Sequence, residues 1–187
     1  MKNIILFLLS FFLLSCSSDD EDFSNPEFVD AVTGRYVLIS AETEVALDLN
    51  HDGEAYTNLL LNENYCNAAL LFNSYYAGLV HRESSYTKIY FELPYSGLDF
   101  NMNQSSCISS NLVFNDIVID EVGEEVIMIQ SDFRDDFIAN FHAKVIDIYW
   151  EEEVVYITVE KQFFDANDEW VDTLLYLAFE KFSNKGG

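Results

Sequence analysis

The sequence predicts an all-β domain, a small antiparallel barrel or else a sandwich, of about eight to ten strands with one short helical turn. Three observations lead there. Short segments rich in Val, Ile, Tyr and Phe recur along the chain, apolar and polar residues alternate with a period of two inside them, and turn residues separate them. Candidates for helix are few.

The expected domain spans residues 33–183 and its first strands are Arg35 to Ser40 and Glu44 to Leu49. The stretch Tyr56 to Tyr65 has no alternation around Leu59, Leu60 and Leu61, so the single helical turn is expected there. Ala68 to Phe72 and Ala77 to Arg82 follow as strands. In Lys88 to Leu93, Ile89, Phe91 and Leu93 share one face, and Pro94-Tyr95-Ser96-Gly97 reads as a turn. Next come Leu112 to Asp120, Val126 to Ser131 and Asn140 to Trp150. Val155, Ile157, Val159 and Phe163 line one face of the following strand against Thr158, Glu160 and Gln162, and Asp165-Ala166-Asn167-Asp168 turns it into a last strand, Trp170 to Phe182.

Upstream, Lys2, the apolar run Ile4 to Leu14 and Ser15-Cys16 have the charged, apolar and cleavage order of an export signal over residues 1–15. That run is far shorter than the roughly 20 residues a membrane span needs. Leu13-Leu14-Ser15-Cys16 resembles the lipobox of bacterial lipoproteins, which implies lipidation of Cys16 and fatty acylation, palmitate among the chains, of its amine. Ser17-Ser18-Asp19-Asp20-Glu21-Asp22 resembles the acidic export signal of surface-exposed lipoproteins in the Bacteroidota, and it also reads as a solvated tether, expected over 16–32. Together these imply a lipid-anchored outer-membrane protein, displayed at the cell surface or, as the alternative, on the periplasmic face, with a short tail at 184–187.

Without residues 1–15 the chain holds 8 basic against 33 acidic residues, a net charge of −25, which argues against nucleic acid and anionic membrane surfaces as partners. The membrane would be met through the lipid alone. Beyond Cys16 only Cys66 and Cys107 remain, and a pair in an exported chain is expected as a disulfide, worth about 4 kcal/mol in the chain-entropy description.

Asp48-Leu49-Asn50-His51-Asp52-Gly53 puts oxygen-bearing side chains at positions 1, 3 and 5 of a calcium-type loop and glycine at position 6. Asp48, Asn50, Asp52 and the Glu54 carbonyl would be the ligands of a structural calcium. The twelfth position is Leu59 where a carboxylate belongs, so a hairpin turn held by Asx hydrogen bonds is the competing reading. Gly34-Arg35-Tyr36, this loop, Asn58-Leu59-Leu60 and Cys66 resemble the lipocalin-like lipoprotein family of the Bacteroidota, with Tyr36 in place of the family's usual Trp and His51 in place of Gly. That resemblance implies a calycin-like barrel able to take an apolar ligand.

No enzymatic constellation emerges. His51, His81 and His142 lie in separate segments, and Asp132 with Asp135-Asp136, like Glu151-Glu152-Glu153, reads as a solvated charged turn. Two functions are expected: a small apolar or amphipathic ligand inside a hollow barrel, or an acidic surface that binds or inhibits a cationic protein. The first needs a cavity lined by aromatics such as Tyr90, Phe91, Trp150 and Phe163; the second needs a filled core and an outer patch, for which Tyr149-Trp150 and Tyr75-Tyr76 are candidates.

Overall fold

The computed structural model describes residues 25–61, 66, 76–83, 86–98, 101 and 103–183. Cys16 and the strand expected at Ala68 to Phe72 lie outside them, as does the 184–187 tail. The described chain is built from antiparallel strands β1 (Gly34–Leu47), β2 (Tyr56–Asn58), β3 (Tyr76–Glu83), β4 (Tyr86–Leu98), β5 (Gln104–Asp120), β6 (Glu125–Ile129), β7 (Ala143–Glu151), β8 (Val154–Phe164) and β9 (Trp170–Ser183), with helices α1 (Pro26–Val32) and α2 (Asp132–Ala139). A 3-10 turn at Leu59–Leu61 is the helical turn the missing alternation predicts.

The pairing order is β6-β5-β4-β3-β1-β9-β8-β7, with β2 on β1. β4 and β8 stand far apart in that order yet meet across the core, where the Phe164 amide donates to Ser96 Oγ at 2.8 Å. The sheet is therefore strongly curled. Its ends, β6 and β7, approach within 8 Å between Cα atoms but do not pair, so ring closure is incomplete.

Alternation drives the packing. Tyr36, Ile89, Phe91, Val113, Val155, Ile157, Phe163, Leu177 and Phe179 point inward and join one continuous buried cluster. The four aromatics among them are at most 1% exposed. They fill the interior with side chains, the arrangement small curled sheets adopt to exclude water.

Four expectations need correction. The expected strands 35–40 and 44–49 merge into one strand, β1, which ends at Leu47 and bends at irregularities in its pairing. Pro94-Tyr95-Ser96-Gly97 does not turn: it continues β4 and pairs with β5 through Ser96–Ile108. A prolyl residue can sit in a strand where its missing N–H leaves no ladder bond broken. Residues 132–139 form a helix rather than a turn, with Arg134 and Ile138 buried and Asp132 and Asp135 in the first turn, where the helix dipole favours negative charge.

Residues 26–32, expected within the tether, form α1 instead. Asn25 caps α1 by accepting from the Phe28 amide, and Val29 and Val32 are buried. Tyr36 ties this helix to the sheet, its hydroxyl donating to the Val32 carbonyl and accepting from Trp150 Nε1, both at 2.9 Å. Burial pushes the Tyr36 hydroxyl up to about 12. Lys181 donates to the Asp30 and Ala31 carbonyls from β9. The chain thus enters at the end of the sheet where β1 begins and β9 finishes. The Asp48 loop, the Cys107 end of β5 and the β8–β9 turn gather at the other end, where the Ala166 amide donates to the Asp48 carbonyl at 2.9 Å.

Candidate functional site: the outer face of β7, β8, β9 and β1

Register fixes what the outward side of this half of the sheet presents. Lys144 pairs with Glu160 and Glu160 with Leu174; Asp147 pairs with Thr158, Thr158 with Tyr176, and Tyr176 with Glu42; Tyr149 pairs with Tyr156. Tyr149 and Tyr156 stack at 4.9 Å with their planes 14° apart, and Tyr149 is 45% exposed and Tyr176 42%. Carboxylates of Glu42, Glu44, Asp147, Glu160, Asp172 and Glu180 share this face, so it carries exposed aromatic rings within an acidic field.

Toward the Asp48 end the face carries a shallow groove of about 470 Å³ whose lining includes Glu44, His142, Lys144, Glu160, Lys161 and Asp172. Gln162 Nε2 donates to Asp172 Oδ1 at 2.8 Å, while its Oε1 lies 3.3 Å from His142 Nδ1. The His142 ring stacks on Trp170 at 4.1 Å, and Trp170 meets Phe164 edge-on at 5.5 Å. Glu44, Glu160 and Lys144 form no hydrogen bond or ion pair through their side chains among the described residues.

Beneath the groove, Lys161 takes an inward position and is 3% exposed. Its ammonium donates to the carbonyls of Gln162 at 2.6 Å, Phe141 at 2.7 Å and His142 at 3.4 Å, and it lies 4.6 Å from the Phe163 ring centroid. Burial lowers its pKa to about 7. Among the described residues Arg134 of α2 is the other buried cation, and it pairs with Asp116 of β5.

The calcium-type loop closes on itself. Asp48 Oδ1 accepts from the His51 amide at 2.7 Å and Oδ2 from the Gly53 amide at 3.1 Å. Asn50 Nδ2 donates to Asp52 Oδ2 at 2.9 Å, Asp52 Oδ1 accepts from the Glu54 amide at 2.7 Å, and Tyr56 adds a bond to Asp52. The Glu54 amide first, then Asn50 and Tyr56, hold the Asp52 carboxyl below its ordinary value. Leu59, at the twelfth position, is wholly buried in the core. Among the described residues no group of three His, Cys, Asp or Glu side chains gathers for a metal. The loop's carboxylates accept from its own amides, as in an Asx turn, with His51 and Gly53 in the left-handed region at φ 59° and 84°.

Cys66 and Cys107 are bonded, with Cα atoms 4.9 Å apart. Next to Cys107, Ser106 Oγ lies 2.5 Å from His51 Nε2, a contact across 55 positions that pins the Asp48 loop to β5. Ser106 is 2% exposed, which denies a substrate access to its hydroxyl.

Of the aromatics expected to line a cavity, Phe91 and Phe163 are core, Tyr90 is half-buried and Trp150 is half-buried on Tyr36; Tyr149, a candidate for the outer patch, is exposed. The side chains of Tyr75, Tyr76 and His81 lie outside the described residues. Sequence reading missed Lys161, the His142–Trp170 stack and the Gln162–Asp172 pair. Lys161 had a signal, because it continues the inward series 155, 157, 159; the stack had none, since its rings stand 28 positions apart. No protein-family model, curated protein or solved structure matches this chain.

Proposed function

We propose that this chain is a lipid-anchored, surface-displayed envelope protein, built on a lipocalin-like barrel left open between β6 and β7, whose outer β7–β8–β9–β1 face binds a cationic protein. The observation that carries this reading is the division of aromatic side chains. Tyr36, Phe91, Phe163 and Phe179 fill the interior, where an apolar ligand would have to lie, while Tyr149 and Tyr176 stand exposed among carboxylates. Exposed Tyr supplies contact area at low entropic cost, and the surrounding charge steers and orients a basic partner. The lipid on Cys16 supplies the address: Cys16→Ala is expected to move the protein from the membrane to the soluble fraction.

The test uses the acyl-free mature chain and lysozyme as a basic probe. Binding is expected to weaken at least about tenfold between about 50 and 300 mM salt, as screening shortens the reach of the charges. Tyr149→Ala with Tyr176→Ala should weaken it further at fixed salt. Absence of binding, or binding indifferent to both variants, would overturn the reading.

A further inference from the structure

Resting on the cationic-partner reading above, we propose that α2 anchors that interaction by inserting Phe133 into an apolar cleft of the partner rimmed with basic side chains. The helix sets out three neighbouring stripes of residues four apart. Arg134 and Ile138 face the body, where Arg134 pairs with Asp116 and Ile138 joins the core. Phe133 and Phe137 form the next stripe, and Asp132 and Asp136 the one beyond it, each about 100° further around the helix axis. With the first stripe docked, the second is turned to solvent: Phe133 is 76% exposed and Phe137 37%.

Phe137 meets Phe141 edge-on at 5.5 Å, and Phe141 in turn lies 5.1 Å from Tyr95 of β4. Phe133 has no ring contact among the described residues, so its face is open to a partner. A large ring on a docked helix gives up little freedom on binding, which suits it as an anchor. Charge selects the occupant. The carboxylates of Asp132, Asp135 and Asp136 form no hydrogen bond or ion pair among the described residues. A second copy laid against α2 would bring three more carboxylates against these three, and an anionic lipid surface would oppose them too. Lysine or arginine around an apolar cleft satisfies the acids while the ring leaves water, a helix-in-groove arrangement. α2 also packs against β7, the edge strand of the proposed face, so the two contacts are neighbours.

The experiment titrates the acyl-free mature chain with lysozyme, a basic protein with an open cleft, across a range of salt around 150 mM. Phe133→Ala should weaken binding at least about tenfold, with the melting temperature and the salt dependence unchanged because the ring stands in water and carries no charge. Asp132→Asn with Asp136→Asn should make the salt dependence shallower. Wild-type affinity in Phe133→Ala, or a loss that only follows a fall in melting temperature, would overturn α2 as the anchor; if Tyr149→Ala with Tyr176→Ala still weakens binding, the outer face stands without it. Loss from Phe133→Ala with none from the tyrosine pair would overturn the face and keep α2, and no lysozyme binding at all would overturn both. A dimer in sedimentation that Phe133→Ala dissociates, or binding to phosphatidylcholine vesicles that it abolishes, would give the stripe to a second copy or to lipid and overturn the proposal.

Discussion

Lys161 shows how one side chain can organise a corner of the fold at a cost that depends on pH. Its folded pKa of about 7 lies below the ordinary lysine value of 10.5, so the unfolded chain holds the extra proton between those limits. Stability should therefore rise as pH increases from 7 toward 10, by up to a few kcal/mol. Its three carbonyl acceptors favour the charged form and keep the gain below the full value that burial alone would give. Urea unfolding at pH 7 and pH 9.5 checks this: the wild-type gain should shrink in Lys161→Met, and an unchanged gain would refute the assignment. The inward position of Lys161 follows from strand alternation alone. What the sequence could not reveal is the carbonyl nest that receives it, because that nest depends on where α2 ends and β7 begins.

At the scale of elements, β4 is where local signals mislead. Pro94 and Gly97 resemble turn residues, but Gly97 is required by a neighbour: a Cβ there would lie 2.2 Å from Cys66 Sγ and 2.8 Å from Ser109 Oγ. The bridged sulfur has little freedom to move aside. Gly97→Ala is expected to destabilise the protein by about 1–3 kcal/mol through overpacking. In a background with Cys66→Ala and Cys107→Ala most of that extra cost should vanish, and a double-mutant cycle from unfolding midpoints would measure the coupling. An equal cost in both backgrounds would place the effect elsewhere. The same reasoning explains what was legible. Long alternating strands such as β8 and the Leu59–Leu61 turn could be read, since their patterns are local. The helix α2 could not, because Arg134 and Ile138 find Asp116 and the core only after β5 and β7 are in place.

For the whole molecule, the all-β class followed from composition and alternation, and the cysteine pair was found by counting. Incomplete closure between β6 and β7 depends on register and had no sequence signal. The charge also divides by location: the core takes the apolar half of each strand, and the outer β7–β8–β9–β1 face concentrates carboxylates around exposed tyrosines. The proposed reading gives recognition to the outside of the sheet and packing to its interior. The most direct measurement is heteronuclear NMR of the acyl-free mature chain titrated with lysozyme, following backbone amides and side-chain methyls together. The account predicts perturbation of residues such as Lys144, Tyr149, Glu160 and Tyr176, with the methyls of Leu93, Val113, Val159 and Leu175 unmoved. Perturbation concentrated in those core methyls, or on β4 to β6, would contradict it.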